Sequence, residues 1–168
     1  MTQITAAIGL INPKSPTNVG SVLRAAGCLG AQQILYSGQR YDRAKAFHTD
    51  TKDNHQNISL VAVEDLFQHI PKGATVVGIE LVEGAQALPD FQHPDNAFYI
   101  FGPEDGSLSQ EQVNQCDAVV YIPTKGCLNL AATVNIVLYD RLSKSNTIDI
   151  GDELIRQSRD TNNTTKVK

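Results

Sequence analysis

Three short stretches of the 168-residue chain hold the side chains whose types and spacing could do chemistry. The first, PTNVGSVLRAAGCLG (16–30), carries Asn18, Gly20 and Arg24 in a helical pattern. At about 100° per residue, Val19, Val22, Leu23, Ala26 and Leu29 share one face. Arg24 then falls nearly opposite, beside Gly20, Gly27 and Cys28. Helical geometry leaves two readings of Arg24. It is a solvated cation behind an amphipathic helix, or a cation whose glycine neighbours let a backbone or ligand come close. The second stretch, FYIFGPEDGSLS, ends a strand at Phe101 and turns through GPEDG into a helix capped by Ser109, with Glu111 in its first turn. Glu104 in that turn is either a solvated carboxylate or a group that orients a polar partner. Its position at the end of a strand is where α/β proteins place ligands. The third stretch, YIPTKGCLNLAATVNIVLYDRL, runs from a buried strand through a short loop into a helix that starts near Leu128.

Other chemistries find little support. The G-x-G-x-x-G cradle would have to follow the first strand directly, and NPKSPT stands there instead; a P-loop is also missing. Neither the charge nor the alternation of elements favours a helix-turn-helix. The three cysteines, Cys28, Cys116 and Cys127, form no C-x-x-C pair, and the histidines at 48, 55, 69 and 93 are scattered. No metal is expected, and the unpaired cysteines point to a reducing cytoplasm. Net charge is −4, from 14 Lys+Arg against 18 Asp+Glu, so whole-chain charge gives nucleic-acid binding no support. Any grip on RNA has to come from a local patch, with Arg40, Arg43 and Lys45 in QRYDRAKAF as candidates. No apolar run approaches the roughly 18 residues of a membrane span, and the N-terminus reads as a first strand rather than a signal peptide.

The elements that must position these groups alternate in type. Nearly continuous apolar runs at 4–11, 32–37, 75–81, 97–102 and 118–123 predict strands covered on both faces, as in a parallel sheet. Helical patterns at 19–29, 63–70, 109–116 and 128–142 lie between and after them, with Asn18 as the N-cap of the first. The polar segment 39–59 reads as a binding loop with a short helix. Leu128, Leu130, Ala131, Ala132, Val134, Ile136, Val137, Leu138 and Tyr139 cover most of the circumference of the last helix. Such a helix must be buried on more than one side, which predicts a homodimer. Residues 1–143 form the expected domain, and 144–168 a polar tail, partly disordered.

Taken together and in order, the three stretches resemble the sequence motifs of the SpoU (TrmH-type) RNA methyltransferases of the SPOUT superfamily. Asn18, Gly20 and Arg24 match the first motif. Phe101, Gly102, Glu104, Leu108 and Ser109 match the second, with Gly106 displaced by one residue. Ile122, Pro123, Leu128 and Asn129 match the third, where Cys127 replaces the usual Ser. The resemblance implies an α/β-knot fold: a mostly parallel sheet flanked by helices, its C-terminal part threaded into a trefoil knot, an exception to the rule against threaded chains.

The same resemblance implies S-adenosyl-L-methionine as cofactor, held by Ile79, Glu80, Gly102, Ile122, Cys127 and Leu128, and a homodimer with its sites at the interface. The implied reaction transfers methyl to a ribose 2′-hydroxyl. Arg24 activates that hydroxyl, Asn18 holds the Arg or the ribose, Glu104 braces the site and Asn129 orders the cofactor loop. Without an RNA-binding extension, the chain is similar to the minimal members that methylate tRNA, so tRNA is favoured over rRNA. Three readings stand beside this one: an rRNA methyltransferase, a SPOUT-fold RNA-binding protein that has lost catalysis, and a small-molecule enzyme on a generic α/β sheet.

Overall fold

A computed structural model describes residues 5–46 and 58–167. Seven strands form one sheet in the order β3-β2-β1-β6-β4-β7-β5, with every pairing parallel. The strands are β1 (Thr5–Ile11), β2 (Gln33–Ser37), β3 (Ser59–Ala62), β4 (Thr75–Ile79), β5 (Gln86–Ala87), β6 (Asn96–Phe101) and β7 (Ala118–Tyr121). The helices are α1 (Pro16–Leu29), α2 (Arg40–Lys45), α3 (Gln110–Asn114), α4 (Leu130–Lys144) and α5 (Asp152–Ser158).

Central β6 shows why its sequence is apolar without alternation. Successive side chains of a strand point to opposite faces. Ala97, Tyr99 and Phe101 enter one core with Ile8, Leu10, Val22, Val134 and Val137, between the sheet and α1 and α4. Phe98 and Ile100 enter the other, with Leu35, Leu66, Val76 and Leu108. Both faces are covered, so polar positions in the strand would be left buried without partners. The outcome is the expected α/β sheet with helices on its faces. Because all pairings are parallel, the C-terminal ends of β4, β6 and β7 meet along one edge.

Several elements differ from expectation, each for a local reason. Ser15, not Asn18, caps α1: its hydroxyl accepts from the Asn18 backbone N–H, and Pro16 takes the first helical position. Proline suits that place because its missing N–H would be unpaired there anyway. The Asn18 side chain is thereby freed for longer-range bonds. The helical pattern at 63–70 reduces to one 3₁₀ turn, Leu66–Gln68, whose Phe67 N–H is taken by Asp65. Edge strands β3 and β5 escaped notice, since β3 is largely exposed and β5 has only 2 residues. α4 begins two residues later than expected, at Leu130 after its N-cap Asn129 rather than at Leu128. The polar stretch beyond Lys144 is not all irregular, because α5 forms within it with every residue exposed. Of the expected binding loop at 39–59, α2 is the short helix, and 47–57 lie outside the described residues.

Candidate active site

Where β4, β6 and β7 end, their following loops enclose a cleft of about 160 Å³. Ile79 and Glu80 supply one wall, Gly102 and Glu104 a second, and Ile122, Cys127 and Leu128 a third. All six residues expected to hold a cofactor thus line a single cleft. Gly102 lies under the fold of its own turn: a Cβ there would stand 3.1 Å from the Leu108 nitrogen and 3.2 Å from the Ser107 carbonyl carbon. Backbone atoms swing aside less readily than a side chain, so an added Cβ would push the turn apart by a few tenths of an ångström. Glu80 braces two rims at once, accepting from the N–H of Leu108 at 2.8 Å and from that of Leu81 at 2.9 Å. The third loop is shaped from within by Thr124, whose hydroxyl donates to the Gly126 carbonyl at 2.7 Å. Ile79, Phe101, Ile122 and Leu130 give the cleft apolar walls, and Glu80, Glu104, Ser107, Thr124 and Thr133 bring polar residues to it. Walls of that kind with a few fixed polar groups suit a nucleoside-sized ligand.

Beside the cleft runs a chain of hydrogen bonds that ties the three sequence stretches together. Asn129 Nδ2 donates to Asn18 Oδ1 at 3.0 Å, and Asn18 Nδ2 donates to Glu104 Oε1 at 3.1 Å. Each end is anchored. Asn129 Oδ1 accepts from the N–H of Ala131 at 2.9 Å and of Ala132 at 3.3 Å, as the N-cap of α4. Glu104 accepts from the N–H of Ser15 at 3.0 Å and of Lys14 at 2.8 Å. Burial pushes the Glu104 carboxyl up, but the N–H of Ser15, the Asn18 amide and the N–H of Lys14 outweigh it and hold the group below the usual glutamate range. A carboxylate accepting several N–H bonds favours its charged form. At neutral pH Glu104 is therefore an anion that fixes both asparagine amides in one orientation.

Arg24 stands apart from this chain. It is exposed on the outer side of α1, six residues beyond Asn18 and so about 9 Å farther along the axis. Among the described residues no ion pair holds it. The local basic patch has another arrangement. Arg40 pairs with Asp105, Lys45 with Asp42 at 2.7 Å, and Arg43 donates to the Gln39 side chain at 2.7 Å. Sequence reasoning missed Asp105 and the N–H groups of Lys14 and Ser15. The Ser-Pro pair at 15–16 is the signal that would have moved the N-cap and freed Asn18.

The topology and cleft place the protein in a class before any closer assignment. The A. aeolicus TrmH/SpoU tRNA modifying enzyme superposes with a TM-score of 0.72 at 19% identity, over 92% of this chain and 85% of that one. The SpoU methyltransferase AviRb from Streptomyces viridochromogenes, solved in complex with the cofactor AdoMet, gives 0.68 at 24% identity, over 84% and 58%. The fold is that of the SpoU methyltransferases. Residues 5–139 match the SpoU rRNA Methylase family, and the chain belongs to it. Among curated relatives, the tRNA (cytidine-2′-O-)-methyltransferase TrmJ of Methanocaldococcus jannaschii is 25% identical over 84% of this chain and 69% of its own length. The 23S rRNA (guanosine-2′-O-)-methyltransferase RlmB of Acinetobacter baylyi is 27% identical over 74% of this chain. This chain spans 54% of the length of RlmB.

Proposed function

We propose that this protein transfers a methyl group from S-adenosyl-L-methionine to a ribose 2′-hydroxyl of RNA, with tRNA as the favoured substrate. The observation that carries the reading is the Asn129–Asn18–Glu104 chain, which joins residues of all three motifs beside one cleft. Ile79, Glu80, Gly102, Ile122, Cys127 and Leu128 hold the cofactor, chiefly through loop backbone; Cys127 in place of Ser keeps a small side chain there. The bound cofactor supplies an electrophilic methyl. A 2′-hydroxyl becomes a competent nucleophile only as its proton is withdrawn. Arg24 carries a guanidinium, which serves as a cation and hydrogen-bond donor rather than as a base. Its planar fork suits a phosphate and a hydroxyl oxygen together, so it orients the ribose while an RNA phosphate assists in taking the proton.

TrmJ, the relative matched over the larger share of this chain, is named for tRNA, which supports that substrate over rRNA. A homodimer belongs to the same reading. α4 leaves Ile136 and Tyr139 exposed, Tyr139 at 61%, although Val134, Val137 and Leu138 on its other side are buried. A second copy packed on that face explains an Arg24 that lies outside the cleft of its own chain. The catalytic domain is taken as 1–143, with its C-terminal part threaded into a trefoil knot. No helix among the described residues is long and apolar enough to cross a membrane; the proposed compartment is the cytoplasm.

The test is incubation with labelled S-adenosyl-L-methionine and purified tRNA or rRNA, followed by mapping of ribose methylation. Arg24→Ala should abolish transfer and leave cofactor binding intact. Binding of RNA without cofactor binding or transfer would replace this reading with that of an inactive RNA-binding protein.

A further inference from the structure

Arg40 opens α2, well along the chain from the residues of the Asn129–Asn18–Glu104 chain, and was expected to face RNA. Its guanidinium is instead turned inward on two segments. Nη1 donates to both Asp105 oxygens, at 2.8 and 2.9 Å. Nη2 and Nε both donate to the Asn12 carbonyl, at 2.7 and 3.2 Å. Asn12 has a left-handed backbone, φ 43°, uncommon for a residue other than glycine. Gly38 packs against it so closely that a Cβ there would fall 2.3 Å from Asn12 Oδ1. The bend at Asn12 directs the next residues, Lys14 and Ser15, to present their N–H groups to Glu104. Asp105 is the residue after Glu104. One side chain thus clamps the two segments whose contact sets the Glu104 carboxylate, acting from the outside while Glu104 joins them from within. Lys14 adds a longer contact to Asp105, 3.7 Å.

We propose that Arg40 is a positioning residue for methyl transfer, locking the Asn12–Ser15 loop to the Glu104–Asp105 turn so that Glu104 holds Asn18 and Asn129 in register. The inference rests on the proposed methyltransferase function. A planar fork is needed because two partners are served in different directions, and a lysine ammonium is a point charge that does not replace it.

Steady-state kinetics with tRNA on Arg40→Ala, Arg40→Lys and Asp105→Asn separate positioning from a grip on RNA. Positioning lowers kcat about 10- to 100-fold in all three variants, with KM for tRNA within about twofold. A phosphate-gripping Arg40 would instead raise KM in Arg40→Ala, recover in Arg40→Lys, and bind tRNA more tightly in Asp105→Asn, where a competing carboxylate charge is gone. That pattern overturns the proposal. Asp105→Asn is nearly isosteric, so it keeps the test valid if Arg40→Ala fails to fold. A second readout needs no turnover: the side-chain amide resonances of Asn18 and Asn129 should shift in Arg40→Lys and Asp105→Asn but stay in place in Arg43→Ala. Unmoved resonances in the first two variants overturn the positioning role. A wild-type protein that transfers no methyl defeats the functional reading alone, and the amide shifts then still judge the clamp.

Discussion

Replacing Glu104 with Gln tests the chain of bonds at its charged end. The carboxylate accepts three N–H bonds, from Lys14, Ser15 and Asn18. A glutamine can keep its oxygen toward Ser15 and Asn18, but its NH₂ then meets the Lys14 N–H, donor against donor. One charge-assisted bond is lost outright and two lose their charge assistance. Taking the low end of about 1.5–3 kcal/mol for a bond to a charged group, against about 1 for a neutral one, the gross loss is about 2.5 to 3 kcal/mol. The Lys14 side of the group is open to water, which screens the charge, so about half survives. Urea unfolding at neutral pH should show Glu104→Gln less stable by about 1.5 kcal/mol, near tenfold in the folding equilibrium. The pH dependence gives a second signature. Because the folded carboxyl titrates below its unfolded value, its stabilisation is complete above the unfolded glutamate pKa of about 4.3. It fades as pH falls through the lower folded value. The gap between wild type and variant should therefore be widest at neutral pH and close in acid. Equal urea midpoints at neutral pH, or a gap that persists in acid, would refute the reasoning.

Three other outcomes follow from the geometry. Burial, with Asp117 adding to it, raises the Cys116 thiol to about 11, whereas Cys28 and Cys127 are exposed; iodoacetamide with mass spectrometry should label those two first, and S-adenosyl-L-methionine should protect Cys127 alone. His93 is kept neutral by burial, with Arg141 and Lys144 nearby outweighing the pull of Asp140, while its ring bonds Tyr99 at 2.6 Å and Asp140 at 2.8 Å. Its lowered folded pKa makes stability full above about 6.5 and lost as pH falls, so urea midpoints from pH 8 to pH 5 should fall more steeply for wild type than for His93→Gln. Tyr139→Asp, on the exposed side of α4, should leave the fold unchanged by circular dichroism and shift sedimentation from dimer to monomer; a wild type that sediments as monomer would remove the dimer.

Much of the sheet was legible because β1, β2, β4 and β6 are covered on both faces and so read as unbroken apolar runs; β7 reads as one too, although only its Val120 is buried. β3 and β5 gave no such signal, being an exposed edge and a 2-residue pairing. The cleft residues were implied by the family resemblance; they come together because they lie at or beyond the ends of β4, β6 and β7, which parallel pairing brings to one edge. The bonds among Asn18, Glu104 and Asn129 could not be read from any local pattern. Asn18 looked like an N-cap because asparagine caps helices well, but Ser15 followed by Pro16 starts the helix three residues earlier, and the Ser15 hydroxyl takes the N–H of Asn18 itself. The partners of Arg40 were illegible for a related reason. Charge alone does not show whether a cation faces solvent or a carboxylate distant in the sequence, and here the turn at 103–106 brings Asp105 to it.

The bonds from Asn18 to Glu104 and to Asn129 close spans of 86 and 111 residues. Contacts that distant form late, after the loops between them have been brought to order. The final bond waits on α4, which is synthesised after every described strand of the sheet. A partly folded chain can have its sheet and its first helix in place and still lack an aligned Asn18, so competence for chemistry arrives with α4. The site reports on the completeness of the fold, and a nascent or misassembled chain that meets RNA meets it without the means to modify it.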